Sequence, residues 1–365
     1  MNNRVEFANT IRGVASLVVM LAHLTVASTA MSGAYGGLSK IEGGVFVEFT
    51  RAVSLGIPNF SYGTFGVALF FLVSGFVIPF SLKSFSYKPN GALGFFVSRF
   101  FRIWPVYVFG FLFSIFFRWL SFKIPGAEDS YGAWDFFIHM TLFRDWFGGI
   151  PLDGIVWTLE VEIKFYILSA IFAFATLQGK QYLTVFAMIL SLVGWHFGVT
   201  SLPIYGEFPS NLLFSTRFIL FMTIGTNLYL LYSNVISKEK CATWISLSAI
   251  VFLITSDVEK LSFILGFLVF FSCFLARDSF KPGGIFGFFA NISYPLYVTH
   301  ALFGYVGLWC MLQVGLNEYV ALVIQIAAII GVAYLVHLKI EVPSQAFGKY
   351  IANKYVCKQK KTALS

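Results

Sequence analysis

Long apolar runs separated by short polar segments dominate the chain from residue 10 to residue 338. A helix that crosses the hydrocarbon core of a bilayer needs about 20 mostly apolar residues. Ten runs approach that length: 10–32, 62–82, 103–120, 154–176, 181–199, 211–232, 242–256, 260–276, 287–310 and 318–338. The pattern predicts an all-α fold, a polytopic transmembrane helical bundle with about ten spans.

The basic residues divide unequally between the two sides of this predicted bundle. With the N-terminus in the cytosol, 17 of the 25 Lys and Arg residues lie on the cytosolic side, 6 lie outside and 2 fall within spans. Loops on the cytosolic side carry the excess of Lys and Arg in membrane proteins. We therefore expect both termini to be cytosolic, with a transmembrane domain over 1–345 and a basic cytosolic C-terminal tail over 346–365.

The composition excludes several other classes of protein. Charged residues make up 12% of the chain, against roughly 25% in a soluble globular domain. The net charge of +8 is dispersed over short loops, without the aromatic-interleaved basic patch of a nucleic-acid-binding protein. We therefore do not expect nucleic acid as a partner. The four cysteines have none of the spacings that hold zinc, so we do not expect a metal site.

Ionisable residues inside the predicted spans are candidates for function, because a charge at the centre of a bilayer costs about 2.5–3.5 kcal/mol on insertion scales. Seven such residues occur: Arg12, His23, Glu160, Glu162, Lys164, Arg217 and His300.

Arg12 and His23 share one face of the first predicted span. They are 11 residues apart, which is within about 20° of three full turns and about 16 Å along the helix axis. One interpretation is a phosphate-binding arginine at the cytosolic mouth and an imidazole at depth. The other is a snorkelling arginine at a helix end and a histidine bonded to a neighbouring carbonyl. Spacing alone favours neither.

The fourth predicted span carries Glu160, Glu162 and Lys164. Glu160 and Lys164 are i,i+4 partners, so a simple interpretation is that they neutralise each other. Glu162 points about 200° away from Glu160 and needs a partner from another helix or a proton.

Arg99 and Arg102 stand just before the third predicted span. Two guanidiniums on one helical face are suited to grip the phosphates of a nucleotide-bearing donor, although ordinary cytosolic anchoring explains their position equally simply. Ser74-Gly75, within the second span, indicates a point of close helix packing.

Together these segments resemble the membrane acyltransferase family 3, whose bacterial members O-acylate surface glycans. The resemblance runs the length of the chain. Its landmarks are Asn9 to Ala15 with Arg12-x10-His23, Phe70 to Ile78, Arg99-x-x-Arg102 to Pro105, Trp157 to Tyr166, Ile292 to His300, and Ile340-Glu341-Val342-Pro343. The family pattern around Glu162 differs here at Glu160 and Lys164.

The resemblance implies a site and a reaction. His23, Glu162 and His300 would be catalytic, and Arg12, Arg99 and Arg102 would bind the acyl-CoA donor. The implied partners are acetyl-CoA or another acyl-CoA and a glycan acceptor such as O-antigen, capsule or exopolysaccharide, in the bacterial inner membrane. His23 would act as general base, His300 or an arginine would steady the oxyanion, and Glu162 would orient a ring or the acceptor.

Two other classes of function compete with this expectation. A transporter or flippase also places ionisable residues within a helical bundle, although its inverted halves with paired broken helices are not apparent in this sequence. A non-catalytic scaffold would not depend on His23 at all.

Overall fold

The protein is all-helical in the residues that the structure, a computed structural model, describes: 5–34, 57–121, 132–147, 149, 154–180, 182–196, 207–256, 259–281 and 283–357. The first seven helices are α1 (Glu6–Ala34), α2 (Tyr62–Ser86), α3 (Gly91–Ser121), α4 (Ala133–Thr141), α5 (Val156–Ile171), α6 (Ala173–Leu177) and α7 (Tyr182–His196). The others are α8 (Glu207–Tyr232), α9 (Lys238–Thr255), α10 (Lys260–Leu275), α11 (Gly284–Thr299), α12 (Ala301–Gln313), α13 (Glu318–Val336) and α14 (Val342–Ile351). A 3₁₀ turn, Arg144–Phe147, follows α4.

The helix α2 occupies the centre of the bundle, where it packs against α1, α3, α5, α8 and α10. Its closest approach is to α8: a Cβ on Gly75 would lie 2.0 Å from the carbonyl oxygen of Met222, and one on Gly225 would lie 2.3 Å from that of Leu72. Only hydrogen fits in these positions, as is common where membrane helices cross. The predicted packing point at Gly75 is therefore confirmed.

Five described helices are long and apolar enough to cross a membrane, and a sixth crossing results if the bent pair α11–α12 counts as one span. They are Glu6–Leu24, Tyr62–Ser86, Gly91–Ser121, Leu213–Tyr232 and Glu318–Val356. The other four predicted spans coincide with α5, α7, α9 and α10, which have 15 to 18 residues. The protein is thus a helical membrane protein, and the count of ten spans stays a prediction.

The single span predicted over 287–310 is two helices that meet at His300 with a bend of 74°. The last carbonyls of a helix lack partners within it, and here the side chain of His300 bonds to the carbonyl oxygens of Leu296 and Tyr297 in the last turn of α11. The apolar run continues through the bend, so hydropathy alone does not reveal it.

Two other predicted boundaries differ from the structure. The helix α3 begins at Gly91, well before residue 103, so Arg99 and Arg102 lie within the helix and not before it. Charged residues end an apolar run but not a helix, and α14 packs against this part of α3. The run 154–176 is broken at Phe172, between α5 and α6.

The segment predicted as a C-terminal tail begins inside α14. A π-helical stretch, His337–Glu341, connects α13 to α14, and a second one, Ala352–Val356, follows. Residues 358–365 lie outside the described part of the chain, as do residues 35–56 between the first two predicted spans and residues 122–131, 148 and 150–153 between the third and fourth.

Candidate active site

Two histidines meet inside the bundle, one from α1 and one from the bend between α11 and α12. The ring centroids of His23 and His300 lie 4.9 Å apart, with the rings nearly perpendicular. The Nδ1 atom of the fully buried His300 lies 2.8 Å from the carbonyl oxygen of Tyr297 and 3.1 Å from that of Leu296. A carbonyl only accepts, so Nδ1 carries the hydrogen and Nε2 of the neutral ring is an acceptor. This buried Nε2 has no hydrogen-bond partner among the described residues.

Tyr305 of α12 orients the imidazole of His23. The Nδ1 atom of His23 lies 2.6 Å from the hydroxyl oxygen of Tyr305, and the two rings are nearly parallel. When Nδ1 donates its hydrogen to this oxygen, Nε2 keeps a lone pair and can accept a proton. Sequence reasoning missed Tyr305, because the contact joins residues 282 positions apart and a tyrosine in an apolar run carries no special signal.

Glu162 projects from α5 into a small cavity between α1, α2, α5 and α11. Its Oε1 atom accepts hydrogen bonds from the Ser74 hydroxyl at 3.1 Å and from the Tyr166 hydroxyl at 2.6 Å. The cavity measures about 40 Å³, and Arg12 also lines it. The partner that Glu162 needed from another helix is therefore Ser74 of α2.

The three arginines predicted to bind the donor gather around the same carboxylate. Arg12 and Arg99 lie close enough to Glu162 to interact with it electrostatically, and Arg102 lies close enough to interact with both arginines and with Tyr166. Arg99, one turn before Arg102 on α3, is buried, and its guanidinium carbon lies 5.5 Å from the ring centroid of Tyr166. These three guanidiniums outnumber the two carboxylates that interact with Arg12, Glu162 and Glu341, so the region has a surplus of positive charge.

Tyr297 connects the cavity to the histidine pair. It lines the cavity, and its ring centroid lies 5.8 Å from that of His300. Its hydroxyl is 2.6 Å from the Thr158 hydroxyl on α5. His23 does not line this cavity. The predicted residues therefore form two neighbouring groups, the histidine pair and the arginines with Glu162, connected through Tyr297.

Glu341 is a buried acid that sequence reasoning did not place in the site. Its side chain bonds to Nδ1 of His337 at 2.7 Å and accepts a hydrogen bond from Nε2 of Gln345 at 2.9 Å. It interacts electrostatically with Arg12. The signal was present in the sequence, since His337 and Gln345 stand four residues on either side of Glu341.

The pairing of Glu160 with Lys164 that their spacing suggested is wrong. Glu160 forms an ion pair with Arg144 at 2.9 Å, and Lys164 pairs with Asp145. Both new partners belong to the 3₁₀ turn Arg144–Phe147. A residue pair within one helix can be proposed from spacing, but a partner from a distant turn depends on how that turn packs.

No group of three or more His, Cys, Asp and Glu side chains that could hold a metal ion occurs in the described part of the chain.

These observations describe a membrane protein with a histidine pair inside the helical bundle and a neighbouring cluster of arginines. The chain belongs to the acyltransferase 3 family: the family model, described as an acyltransferase domain, matches residues 5–338. It is also similar to Nodulation protein 10 of Rhizobium leguminosarum bv. viciae, with 25% identity over 204 residues that cover 50% of this chain and 53% of that protein. The chain thus spans about half the length of this curated relative. No solved structure matches it.

Proposed function

We propose that the protein transfers an acetyl group from acetyl-CoA to a hydroxyl of a cell-surface or exported carbohydrate, such as O-antigen, capsule or exopolysaccharide, in the bacterial inner membrane. Membership of an acyltransferase family supports the transfer of an acyl group. The observation that carries the assignment of a catalytic base is the 2.6 Å contact between Nδ1 of His23 and the hydroxyl of Tyr305.

In the proposed reaction, Nε2 of His23 takes the proton of the acceptor hydroxyl as its oxygen attacks the thioester carbonyl carbon. The carbon–oxygen bond forms and the carbon–sulfur bond breaks. The proton held by His23 then passes to the departing thiolate, so the enzyme is unchanged after each cycle. A thioester is already activated, and the enzyme mainly has to position it and to move this proton.

The hydrogen bonds of His300 refine its predicted role. Its Nδ1 hydrogen is bonded to backbone carbonyls, so the neutral ring offers an acceptor at Nε2 and no donor to an oxyanion. A buried acceptor without a partner costs about 1–3 kcal/mol. A carbohydrate hydroxyl that donates to this atom would remove that cost, which makes His300 a residue for acceptor binding beside the base.

The donor side of the site would be the arginine cluster. Arg12, Arg99 and Arg102 provide guanidiniums for the phosphates of coenzyme A, to which arginine bonds in a bidentate manner. The cavity of about 40 Å³ is far smaller than the roughly 300–1,000 Å³ of typical ligand pockets. A donor that entered this cavity would therefore require the helices around Glu162 to separate.

The arrangement also suggests how the acyl group passes between compartments. Coenzyme A is made in the cytosol and its phosphates cannot cross lipid, whereas exported glycans are displayed outside. Arg12 and His23 lie on one face of α1, about 16 Å apart along its axis, and Tyr297 lines the cavity beside Arg12 and contacts the ring of His300. The acetyl group, and not its carrier, would travel along this track.

The test is transfer of labelled acetyl from acetyl-CoA by the purified, detergent-solubilised protein, with a carbohydrate acceptor present. We expect His23→Ala to lower kcat by about 10²-fold or more, the usual contribution of a general base, without loss of monodisperse protein. The matched control is His196→Ala, at the exposed end of α7, which should keep full activity.

Wild-type activity in His23→Ala would refute the assignment of the base, and a protein that never consumes acetyl-CoA would favour a transporter.

A further inference from the structure

Four charged side chains form a buried network at one end of α5. Arg144 donates to Glu160 at 2.9 Å and to the carbonyl oxygen of Gly149 at 2.7 Å. Lys164 donates to Asp145 and, at 2.9 Å, to the hydroxyl of Ser215 on α8. The four charged side chains are between 2% and 13% exposed. None of them lines the cavity around Glu162, so the proposed reaction does not use them directly.

The charged network contacts one face of α5, and the residues of the proposed site lie on another face. Glu160 and Lys164 are one turn apart on the face toward the 3₁₀ turn and α8. Glu162 and Tyr166 are also one turn apart, but each lies about 200° around the axis from its neighbour in the first pair. A rotation of α5 that broke the ion pairs would therefore also withdraw Glu162 from Ser74 and Arg12.

The order of the charges on α5 and on the 3₁₀ turn favours one position of α5 along its own axis. Arg144 and Asp145 are adjacent in the turn, and they meet an acid and a base one helical turn apart. If α5 slipped along its axis by one turn, about 5.4 Å, Arg144 would face Lys164 and the contact would become repulsive. A buried charge left without its partner costs about 3–5 kcal/mol, which is enough to exclude the slipped arrangement.

Stability alone is a weak reason for such a network. The desolvation of two buried charges often cancels their attraction, and apolar residues of similar size can replace a buried pair without loss of stability. The best attested advantage of buried polar pairs is that they select one arrangement among several. Here the arrangement selected is the one that aims Glu162 into the cavity.

We propose that Arg144 and Asp145 are positioning residues of the acyl-transfer site: their crossed ion pairs with Glu160 and Lys164 hold α5 in the rotation and register that place Glu162 against Ser74 and Arg12. This inference rests on the proposed function for its catalytic consequence, but its geometric part stands without it.

The first test measures geometry and needs no activity. In a variant with its four native cysteines replaced by serine, cysteines at Ser74 and Glu162 should be joined efficiently by a short bifunctional thiol reagent, because the native side chains touch at 3.1 Å. Adding Arg144→Met with Glu160→Met should reduce this cross-link to background. The fourfold charge swap Arg144→Glu, Asp145→Lys, Glu160→Arg and Lys164→Glu, which reverses both ion pairs and keeps their alternating order, should restore it. Glu259→Gln, which alters the bond of an acid to Thr64 outside this network, is the control and should leave the cross-link intact.

The second test measures catalysis in the otherwise wild-type chain. We expect the apolar double variant to lower kcat by about tenfold or more, as small misplacements in an active site do, while its melting temperature and its KM for acetyl-CoA stay near wild type. The swap variant should recover kcat.

Two results would overturn the proposal: a cross-link in the apolar variant as strong as in its parent, or a lost cross-link with unchanged kcat. If the apolar variant is not obtained as a monodisperse protein, the swap variant decides, and a folded swap variant without the cross-link is then the contrary result. An inactive wild-type protein in which the cross-link still depends on Arg144 would count against the proposed function and leave the geometric part in place.

Discussion

At the scale of single residues, the proposed chemistry depends on which nitrogen of His23 carries its hydrogen. The hydroxyl of Tyr305 lies 2.6 Å from Nδ1 and can accept that hydrogen, which leaves Nε2 to act as the base. A ring held by a hydrogen bond and by contact with His300 also loses the freedom to turn away from the substrate. Tyr305 would therefore set both the tautomer and the direction of the base.

Substitution of Tyr305 by phenylalanine tests this role. The ring remains and packing is preserved, but Nδ1 loses its acceptor. We expect kcat to fall by about tenfold or more, part of the 10²–10⁴-fold that general base catalysis contributes, with the KM for acetyl-CoA unchanged. Tyr319→Phe, at an exposed tyrosine of α13, is the matched control. Equal kcat values in the two variants would show that the hydroxyl of Tyr305 has no part in catalysis.

The arginines of α3 carry a separate prediction. Because Arg99 and Arg102 would hold the phosphates of the donor, the double variant Arg99→Ala with Arg102→Ala should raise the KM for acetyl-CoA much more than it lowers kcat. Bidentate, charge-assisted bonds contribute about 1.5–3 kcal/mol each, so the loss should be about tenfold or more. Initial rates at a range of acetyl-CoA concentrations give both constants.

The control for general charge effects is Lys83→Ala. Lys83 is an exposed basic residue in the last turn of α2 and should not alter either constant. If the arginine variant shows the same dependence on acetyl-CoA as wild type, Arg99 and Arg102 serve only to anchor α3.

The sequence identified the ionisable members of this site but not their neutral partners. A charge in an apolar run is conspicuous because of its cost in lipid, and Arg12, His23, Glu162 and His300 all stood out for that reason. Ser74 was noted only as part of a helix-packing point, and Tyr305 and Thr158 were not singled out, since hydroxyl groups are common in membrane helices. Their importance follows only from which helices cross, and spacing along one chain does not contain that information.

At the scale of helices, the bend at His300 is the feature that the apolar pattern concealed. It turns the path of the chain by 74° between α11 and α12 and places an imidazole at the corner, where its side chain bonds to the last carbonyls of α11. A break in a membrane helix is tolerated where other groups satisfy the freed backbone. The same bend brings Tyr305, on α12, against His23.

The bend decides whether the chain ends on the side where it began. If α11 and α12 together cross the bilayer as one broken span, the predicted count of ten is even and both termini are cytosolic. If α11 and α12 enter and leave the bilayer on the same side, the number of spans becomes odd and the two termini lie on opposite sides. The helices α9 and α10 form a predicted hairpin, so they add two spans or none, and neither case changes whether the number of spans is even or odd.

Fusions at the C-terminus distinguish these two paths. We expect a green fluorescent protein fused after Ser365 to fluoresce and an alkaline phosphatase at the same place to be inactive, because the excess of Lys and Arg favours a cytosolic position. Fusions within the loop at Lys180, predicted to be cytosolic, provide the reference. An active phosphatase at the C-terminus, together with an inactive one at Lys180, would show that α11–α12 does not cross.

The existence of the helices was predictable, but their connections were less so. Apolar runs coincide with α1, α2, α8 and α13, because transfer of about 20 apolar residues into lipid is a strong and local effect. The start of α3 at Gly91 depends on packing against α14. The break at Phe172 depends on the path that the chain takes after α5. The pairing of Glu160 with Arg144 depends on a turn that hydropathy does not describe.

At the scale of the whole molecule, the proposed reaction would join two compartments through one helical bundle. The positive charge that would attract a cytosolic coenzyme A lies at Arg12, Arg99 and Arg102, and the histidine pair lies where the bend between α11 and α12 meets α1, about three turns beyond Arg12. The ion pairs of Glu160 and Lys164 with Arg144 and Asp145 would keep α5 in the position that aims Glu162 into the cavity beside Arg12. Such a path explains why an acyltransferase would place its charged residues inside a membrane, where each one is costly, and not in a soluble domain.

The most direct test of this account is mass spectrometry of the surface glycans from cells with the gene, without it, and without it but complemented by His23→Ala. The account predicts a carbohydrate that carries one additional acetyl group only where the wild-type protein is present, with the deletion and the His23→Ala strain alike. Glycans of identical mass in all three strains, or full acetylation in the His23→Ala strain, would contradict it.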